Sequence, residues 1–531
     1  MESLKSKELV ALQAPTGSGK TIFSLLVALS VKSKALFIVR THNQFYSVFR
    51  EARRLNKSFG FLVGKANACA FTNEDVDSND IECRGCPIHS AIKVEFKEQP
   101  ASLVKKLKGL ALTSGFCPYY SIVESSLDSE VLAITYPYVF SPWLREAMDL
   151  DFSERVIIVD EAHNLDYIAE MSERRISRHT VTAAISQCTG EQTKVFLSEL
   201  LKRFYSLPEA RDGYVLVEEP LEVSDDELEL LQDEYESIRA KMIEQRKVTK
   251  NYVGVVLRFL NSLREQGRRL FANGDSLVSR NPDPASYLKV LNEPELSIII
   301  MSGTLPPKEY IESVWGLTRK MSYFNAEVLM ERESLGRKEW ILAVDVTTSY
   351  SKRNETMWSR YASYLMRIYH TSKANVLALV PSYEVARKLI GKLTGVRVIA
   401  EKERTSMEDL SHAVKEGKSL IIAVGRGKLA EGIELTEEGR SLISDIALVG
   451  IPFPFPDDYN KLRAQAIASR VGRAKEEMLT KIPALITVRQ AIGRAIRGPN
   501  DSATIWLLDS RYDNPWWKSR LGYLNPRKIV L

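Results

Sequence analysis

The sequence predicts an α/β fold with parallel sheets, and the main observation behind this is a set of buried-strand runs that end on polar segments. Three short, mostly apolar runs are typical of strands covered on both faces, namely Glu8–Gln13, Val156–Val159 and Ser297–Met301. A helical pattern over Ile22–Val31 follows the first run. Polar residues placed just after such strands build the ligand crevice of an open parallel sheet.

A second set of apolar runs predicts a second sheet of the same kind. Its strands are expected at Asn375–Val380, Ser419–Val424, Ile446–Gly450 and Thr504–Leu508. The length of 531 residues suggests about three or four domains. A net charge of +5 neither requires nor excludes a nucleic-acid partner, since a basic channel can be balanced by an acidic face elsewhere.

Composition excludes several other classes of protein. No apolar run approaches the ~18 residues that span a bilayer, so we expect a cytoplasmic, nucleoid-associated chain with no membrane partner. Five cysteines among 531 residues are too few for a disulfide framework, and they indicate a metal site or chance.

The intervals between the first three runs predict two insertions. A single βαβ unit takes ~30 residues, and both the interval from Thr21 to Asp160 and the one from His163 to Ser302 are far longer. Four of the five cysteines lie in the first interval. The second reads as mostly helical.

The segment Ala14–Thr21 (APTGSGKT) matches the phosphate-binding P-loop, with Ala14 in place of the first glycine. Glycines let backbone N–H groups wrap a polyphosphate at a helix N-terminus. The residues expected to bind ATP here are Gly17, Ser18, Gly19, Lys20 and Thr21. Lys20 would contact the β- and γ-phosphates and Thr21 would hold Mg²⁺. The alternative is an ordinary Gly/Ser turn.

An acidic tetrapeptide, Asp160-Glu161-Ala162-His163, follows the second apolar run. Asp160 is expected to hold Mg²⁺, and Glu161 to orient and deprotonate the attacking water. His163 would report the nucleotide state to neighbouring segments. Alone, such a tetrapeptide could simply begin a helix; beside a P-loop it indicates nucleotide hydrolysis.

Three polar residues near the C-terminus share one face of a predicted helix, namely Gln490, Arg494 and Arg497. Paired arginines can stabilise charge that develops on a transferred phosphoryl group, an effect of roughly 10³ to 10⁵ in rate. The alternative is a solvated basic helix face.

These motifs together resemble a superfamily 2 helicase, in which two RecA-like domains clamp ATP between them. Further stretches that match its motif series are Arg40–Gln44, Ser302–Leu305, Pro381–Tyr383 and Gly427–Glu434. The resemblance implies that Gly432 and Glu434 also contact the nucleotide. Glu434 departs from the aspartate often found at its position.

Four cysteines within one short stretch predict a metal centre, namely Cys69, Cys83, Cys86 and Cys117. Four thiolates hold either tetrahedral Zn²⁺ or a [4Fe–4S] cube. Only one Cys-x-x-Cys pair is present, which favours iron, although His89 keeps a mixed zinc site open. Cys188 stands apart and is expected to pack in a core.

An iron–sulfur insertion before the acidic box and a long insertion after it resemble the xeroderma pigmentosum group D (XPD) helicase family, in its archaeal form. The resemblance covers essentially the whole chain. It implies a first RecA-like motor domain (residues 1–60, 121–165 and 295–315), an iron–sulfur domain (61–120), a mostly helical Arch (166–294) and a second RecA-like motor domain (316–531).

The same resemblance implies an ATP-dependent 5′→3′ DNA helicase of nucleotide excision repair. Its cofactors would be ATP, Mg²⁺ and a [4Fe–4S] cluster, and its substrate single-stranded and forked DNA, on which it would act as a monomeric motor. The alternative is a DNA-stimulated ATPase that serves as a damage sensor or switch without unwinding. A non-enzymatic redox protein that binds DNA is disfavoured, because it would not need Lys20, Glu161 and Arg494 together.

Candidate DNA contacts combine basic and aromatic side chains, because single strands bind basic grooves in which bases stack on aromatic rings. The candidates are Arg40, Thr41, His42, Tyr136 within Thr135–Tyr138, Tyr383, and the basic stretch Lys105–Lys108. Each could equally be a capped turn or a hydrated surface.

No adenine-reading motif is visible before the P-loop, because Met1–Lys7 contains no aromatic residue. Either the native N-terminus is missing or the base is held loosely. A site without hydrogen-bond readout discriminates poorly. We therefore expect ATP and GTP to be turned over with catalytic efficiencies within about tenfold, or roughly 1.4 kcal/mol, in steady-state kinetics.

Overall fold

The computed structural model describes residues 1–531 apart from positions 16, 74, 149, 209–212, 220, 331–335, 401–411, 426–435, 438–439, 474, 497 and 499. Three predicted site residues, Gly432, Glu434 and Arg497, therefore lie outside the described residues. Among the described helices, none has both the length and the apolar character needed to cross a bilayer.

Strands and helices alternate through most of the described chain. The strands are β1 (Leu9–Gln13), β2 (Lys34–Val39), β3 (Phe59–Phe61), β4 (Val131–Thr135), β5 (Arg155–Val159), β6 (Arg174–Ser177), β7 (Val215–Leu216), β8 (Arg269–Asn273), β9 (Ser276–Arg280), β10 (Ser297–Ser302), β11 (Met321–Asn325), β12 (Arg337–Ala343), β13 (Asn375–Val380), β14 (Val398–Ala400), β15 (Leu420–Val424), β16 (Thr436–Glu437), β17 (Arg440–Ser441), β18 (Ile443–Val449), β19 (Ser502–Leu508) and β20 (Arg527–Ile529). The α-helices are α1 (Glu2–Lys5), α2 (Lys20–Val31), α3 (Phe45–Arg54), α4 (Lys65–Ala68), α5 (Pro100–Ser114), α6 (Pro118–Ser126), α7 (Pro137–Phe140), α8 (Pro142–Met148), α9 (Ile168–Met171), α10 (Arg178–Gln187), α11 (Glu191–Arg203), α12 (Asp225–Glu244), α13 (Tyr252–Leu263), α14 (Lys308–Ser313), α15 (Glu355–Thr371), α16 (Tyr383–Ile390), α17 (Asp458–Val471), α18 (Ile482–Ala495) and α19 (Pro515–Leu521).

The first sheet has seven strands in the order β11-β1-β10-β5-β2-β4-β3, and neighbouring strands pair in parallel throughout. Apolar cores cover both of its faces, which explains why its strands are continuous apolar runs. Because β1, β10 and β5 are adjacent and parallel, their carboxyl ends meet at one edge. The P-loop, the Ser302 segment and the acidic box therefore come together there.

This sheet extends beyond the boundary that we predicted at residues 315 and 316. β11 pairs with β1 in register, from Leu9 opposite Met321 to Gln13 opposite Asn325. The first motor domain thus continues to at least residue 325. β11 escaped the sequence analysis because it is an edge strand whose residues are mostly only half-buried, so it shows no continuous apolar run.

The second sheet is also parallel, in the order β14-β15-β13-β18-β19-β12-β20. Apolar cores lie on both of its faces. The predicted strand Asn375–Val380 is confirmed with identical bounds, and the other three predicted strands are found with ends shifted by a few residues. The two parallel sheets confirm the predicted α/β fold class.

The two insertions leave the first sheet between β3 and β4 and between β5 and β10. The first carries α4 and α5, and the second carries α9 to α13. The second is helical as predicted, but it also contains an antiparallel sheet in the order β6-β9-β8-β7. The sequence analysis missed this sheet because its strands carry arginine, serine and asparagine among their apolar residues.

Candidate active site and cysteine cavity

The phosphate loop lies between β1 and α2. The amide of Ala14 donates a hydrogen bond to the carbonyl of Ser302 (3.0 Å), which ties the start of the loop to β10. Gly17 and Gly19 have φ angles of 82° and 78°, in the left-handed region that favours glycine. The loop can therefore direct the first amides of α2 toward a bound anion.

Lys20 and Ser18 close the loop from inside. The Lys20 side chain is buried, and its Nζ donates to the carbonyl of Pro15 (3.1 Å). Ser18 Oγ donates to the same carbonyl (2.7 Å). Thr21 follows Lys20 in the first turn of α2. The ammonium group therefore lies inside the loop, and its contact with nucleotide phosphates stays a prediction.

The acidic box follows β5 at the same sheet edge. The amide of Asp160 donates to the carbonyl of Ile38 (2.9 Å), and the Asp160 carboxylate accepts from the amide of Glu161 (2.9 Å). Glu161 has a φ of 48°, a left-handed conformation that costs energy in a residue with a side chain. This strained turn fixes the direction of both carboxylates.

His163 connects the acidic box to β10. Its Nδ1 is hydrogen-bonded to Ser302 Oγ (2.6 Å) and lies 3.2 Å from Glu161 Oε2. Ser302 Oγ lies 3.5 Å from the same carboxylate oxygen. The side chains of Glu161, His163 and Ser302 are thus in mutual contact. A change at Glu161 would therefore be transmitted directly to Ser302 at the end of β10. This geometry supports the reporting function expected for His163.

The two carboxyl groups of the box have opposite pKa shifts. Burial, with help from the charge of Glu161, raises the pKa of Asp160 to about 7, against the pull of Lys20. Burial also acts to raise the pKa of Glu161, but the hydrogen bond and charge of His163 and the charges of Lys20 and Arg494 outweigh it and lower this pKa to about 2. Glu161 is therefore ionised at neutral pH.

The donor set at this edge fits Mg²⁺. Asp160 is 8% exposed and its ionised form is disfavoured by burial, so a bound cation would offset that cost. A carboxylate from Asp160 and a hydroxyl from Thr21 are oxygen ligands of the kind that Mg²⁺ takes together with phosphate oxygens. Asp160 directly follows β5 and Thr21 lies in the first turn of α2, and both elements belong to the first motor domain.

The second motor domain contributes α18, which carries Gln490 and Arg494 as predicted. The positive charge of Arg494 is near enough to Glu161 to lower the pKa of that carboxyl group. The carbonyl of Arg494 accepts a hydrogen bond from Ser441 Oγ (2.9 Å), which holds the end of the helix against β17. The two halves of the predicted nucleotide machinery are thus brought together.

Tyr136, which we predicted as a DNA contact, is fully buried, and this prediction is wrong for a base-stacking role. Its hydroxyl donates to the carbonyl oxygens of Asp160 (2.6 Å) and Glu161 (3.0 Å). Tyr138 is also buried. A ring with no exposed surface cannot stack on a base, and Tyr136 instead supports the acidic box from behind.

Arg40, Thr41 and His42 occupy the segment after β2. Arg40 and Thr41 are exposed, and both of their amides donate to Gln44 Oε1 (3.0 Å each). Arg40 Nη1 donates to Asn164 Oδ1 (2.8 Å), next to the acidic box. Burial lowers the pKa of His42. The segment therefore offers an exposed surface that is directly tied to the hydrolytic residues.

The remaining DNA candidates are distributed over both halves of the chain. Tyr383 is half-buried at the start of α16, where Ser382 caps the helix. Lys105 is exposed on α5, whereas Lys108 Nζ donates to the carbonyl of Thr72 (2.8 Å). Lys106 is paired with Glu98. Of the basic stretch, Lys105 offers the most accessible charge.

The four predicted metal ligands, Cys69, Cys83, Cys86 and Cys117, line one cavity. Its other walls are largely apolar and include Phe71, Ile81, Ile88 and Ile243. Burial raises the pKa of Cys69 and of Cys117, and the neighbouring thiols add to both shifts. A positively charged centre would reverse these shifts by stabilising the thiolates.

The cavity brings together the four thiols that the sequence predicts as metal ligands. Among the described residues, no group of three or more His, Cys, Asp or Glu side chains is arranged to hold one metal ion. His89 Nδ1 is hydrogen-bonded to the carbonyl of Cys86 (3.0 Å), and because metal-binding histidines commonly make such a bond through their other ring nitrogen, the mixed zinc site stays an alternative. Cys188 lies apart in the core of the Arch, as predicted.

The sequence analysis missed Asn164 as a site residue. Its side-chain amide donates to the carbonyl of Glu161 (3.0 Å), and its Oδ1 accepts from Arg40. The sequence feature that could have pointed to Asn164 was its position directly after His163. A short polar residue in that place could equally have been a helix cap, so the pairing with Arg40 required the folded chain.

Two family models match the chain. One, described as "Helicase C-terminal domain", matches residues 365–525, which contain most of the second sheet. The other, described as "DEAD_2", matches residues 37–181, which contain the cysteine cavity and the acidic box.

Similar proteins cover almost the full chain. A Sulfolobus acidocaldarius protein named ATP-dependent DNA helicase XPD is 46% identical over 537 residues, covering 100% of this chain and 97% of the relative. A Candida albicans protein named ATP-dependent DNA helicase CHL1 is 21% identical and covers 94% of this chain and 73% of its own length. A solved structure named "XPD_Helicase" superposes with a TM-score of 0.94 at 46% identity, covering 100% of this chain and 97% of the other. Another, named "XPD_APO", has a TM-score of 0.84 at 42% identity, with 100% and 98% covered.

Proposed function

The chain belongs to the XPD family of ATP-dependent DNA helicases, and on that premise we propose how its own residues drive translocation 5′→3′ along single-stranded DNA. The observation that carries the proposal is the convergence of Lys20 and Glu161 from the first motor domain with Arg494 from the second. A site shared between two domains changes its chemistry when the domains move, which is what an ATP-driven motor requires.

ATP binding uses the P-loop. The amides at the start of α2 and the ammonium of Lys20 would contact the phosphate groups. Asp160 and Thr21 would hold Mg²⁺, which neutralises phosphate charge when bound. Because the Asp160 carboxyl is costly to ionise in the empty site, nucleotide and cation binding support each other there.

Hydrolysis uses Glu161 and Arg494. Glu161 is ionised at neutral pH and its direction is fixed by the strained turn, so it can orient the attacking water and accept its proton. Arg494 would stabilise the charge that develops on the transferred phosphoryl group, and Gln490 lies one turn before it on α18. Gly432 and Glu434 are proposed to contact the nucleotide as well, and Arg497 to act together with Arg494.

DNA contact is linked to this chemistry through Arg40. Its guanidinium donates to Asn164, whose own side chain donates to the carbonyl of Glu161. A phosphate of the strand that competes for Arg40 would therefore alter the support of the acidic box. Thr41, His42 and Tyr383 are proposed as further contacts along the path of the strand.

The four cysteines are proposed to hold a [4Fe–4S] cluster. Their common cavity and its apolar walls support this ligand set. When bound, the cluster would cross-link the loops of the first insertion. Its residues would then form a rigid partner for the Arch.

The wider role follows from this activity. We propose a monomeric motor that acts on single-stranded and forked DNA in nucleotide excision repair, in the cytoplasm where prokaryotic DNA lies. Homology to a DNA helicase supports DNA as the substrate.

Strand displacement on duplexes with either a 5′ or a 3′ tail tests the proposal. We expect displacement from the 5′-tailed duplex only, and only with ATP and Mg²⁺. The Glu161→Gln variant should bind nucleotide and DNA without displacing a strand, because an amide cannot take the proton. ATP turnover without displacement from either duplex would favour a damage sensor or switch, and displacement from the 3′ tail alone would contradict the polarity.

A further inference from the structure

Helix α17 contacts three parts of the molecule at once, and we call it the coupling helix (Asp458–Val471). It precedes α18, the helix that carries Arg494, and a single π-helical turn, Glu477–Lys481, lies between them near the start of α18. Its side chains touch the turn after the acidic box, the antiparallel sheet of the Arch and the segment around α14.

The first contact joins the coupling helix to the acidic box. Asp166 lies on the 3₁₀ turn Ala162–Tyr167, which begins directly after Glu161. Its fully buried carboxylate accepts from Arg463 Nη2 (2.6 Å), and the same oxygen accepts from Tyr310 (2.6 Å). Arg463 is itself almost wholly buried. The hydrolytic turn and the coupling helix are therefore linked by a direct ion pair.

Stability alone is a poor explanation for this pair. Desolvation of two charges offsets most of their attraction, and apolar replacements of similar volume are often neutral or stabilising. The pair does fix relative position, because Arg463 and Tyr310 both donate to one oxygen of the buried Asp166 carboxylate. The Asp166–Arg463 pair therefore sets where the coupling helix sits relative to Glu161.

The second contact joins the N-terminus of the coupling helix to the Arch. Asp457 and Asp458 accept hydrogen bonds from the amides of Tyr214 and Leu216 (3.0 Å each), and the Asp458 amide donates to the Tyr214 carbonyl (3.0 Å). β7 is thus held along its free edge by the start of the helix. If the coupling helix moved, it would either break these hydrogen bonds or pull β7 along with it.

Arg280 strengthens the same contact. Its buried guanidinium lies 4.0 Å from the centre of the Tyr459 ring and 5.4 Å from that of Tyr214. It also pairs with Glu170 and Glu173 (3.4 Å each). A desolvated cation between two aromatic rings is a strong, directional contact. The coupling helix and the Arch sheet are therefore expected to move together.

The Arch also rests on the first insertion, close to Glu173. Arg258 pairs with Asp80 (2.8 Å) and Asp77 (3.3 Å), and Tyr235 donates its hydroxyl to the carbonyl of Asn79 (2.6 Å). The Arch thus bridges the coupling helix and the cysteine domain. A shift of the helix can alter how the Arch docks on that domain.

We propose that the coupling helix transmits the nucleotide state of the acidic box to the Arch, with Arg463 as the positioning residue that acts through Asp166. ATP binding draws Arg494 toward Glu161, the coupling helix follows, and the docking of the Arch on the cysteine domain changes. This inference rests on the proposed function, since it requires an ATP cycle. It adds a route by which that cycle opens or closes the junction between the two insertions.

Fluorescence energy transfer between the Arch and the cysteine domain tests this route in the full chain. Dyes attached through genetically encoded azido side chains would replace two exposed residues, Glu199 on α11 and Ser114 on α5. Saturating ADP is compared with ADP–beryllium fluoride. Coupled sites typically differ by roughly 5- to 150-fold, so we expect a shift of about fivefold or more in the docking equilibrium.

Arg463→Met should reduce this shift to less than about twofold while nucleotide binding persists, because the charge that holds Asp166 is lost. Asp458→Ala should have the same effect from the other end of the helix, at a more exposed position where folding is not at risk. Arg473→Met, which removes an exposed cation just after the helix, is the matched control and should leave the shift unchanged. Arg463→Lys, which keeps a positive charge beside Asp166, should retain part of the nucleotide-dependent shift.

An undiminished shift in both Arg463→Met and Asp458→Ala would overturn the inference. So would a chain that unwinds DNA with ATP but shows no shift at all, and in that case the proposed function would stand. Failure of the unaltered chain to hydrolyse ATP or to displace a strand would instead contradict the proposed function, and the coupling with it.

Discussion

The nucleotide cleft and the cysteine cavity are both assembled from residues distant in sequence, but they depend on the rest of the molecule in different ways. The cleft joins charged groups from two motor domains, and the pKa of Glu161 depends on Arg494 across the domain boundary. The cavity draws its four thiols from one insertion and one apolar wall residue, Ile243, from the Arch. Hydrolysis therefore depends on the contact between the two motor domains. The cysteine cavity, in contrast, is formed almost entirely within the first insertion.

This difference predicts that the two sites fail separately. Damage to the cleft should stop ATP turnover and leave the DNA path in place. Damage to the cavity should leave both motor domains folded and still able to hydrolyse ATP. Substitutions at each site therefore test whether the two sites fail independently.

The largest effect is expected from Lys20→Ala. Removal of the buried ammonium should lower ATP turnover by at least about 10³-fold, the upper end of what one charge-stabilising donor is commonly worth. Binding of single-stranded DNA should remain within a few fold, because the P-loop contacts phosphates of the nucleotide. Steady-state ATPase assays and fluorescence anisotropy on the same preparation measure both. A comparable loss of DNA binding would break the separation.

A smaller effect on hydrolysis is expected from Cys83→Ser or Cys86→Ser. Either variant should lose the visible absorption and iron of the cluster, together with strand displacement, and keep most of its DNA-independent ATPase. The matched control is Cys188→Ser, which changes a buried thiol in the Arch core and should affect none of these. Elemental analysis of anaerobically purified protein provides the check, and zinc in place of iron would contradict the cluster.

The smallest effect is expected from Tyr136→Phe. Loss of the hydroxyl removes the buried donor to the carbonyl of Asp160, while the carbonyl of Glu161 keeps Asn164 as a donor, and should lower the free energy of unfolding by about 1–2 kcal/mol. Thermal unfolding and ATP turnover measure this. Tyr138→Phe removes a hydroxyl from the same segment and is the control. Unchanged stability and turnover in Tyr136→Phe would show that the Tyr136 hydroxyl does not support the acidic box.

Parallel strands made much of the fold predictable. A strand covered on both faces must be a continuous apolar run, so Asn375–Val380 and the strand before Asp160 could be located from their residues alone. Because parallel strands end at one edge, the polar residues that follow them could be assigned to a common site. The P-loop and the acidic box were therefore predicted together, and the structure brings them together.

Short and partly exposed strands gave no such signal. β11 is an edge strand, and the Arch strands mix apolar residues with arginine and serine, so neither could be separated from loops. Burial of Tyr136 depends on the surrounding sheet and core, which local composition does not reveal. The pairing of Arg463 with Asp166 joins residues of different domains and is equally invisible in the sequence.

The central claim is that one hydrolytic site is shared by both motor domains, and single-turnover hydrolysis by Arg494→Ala tests it most directly. The account predicts ATP affinity within a few fold of the unaltered chain and a hydrolysis rate lower by roughly 10³, as expected when a charge-stabilising arginine is lost. Hydrolysis at the unaltered rate would contradict it, because the second motor domain would then contribute nothing to the chemistry at Glu161.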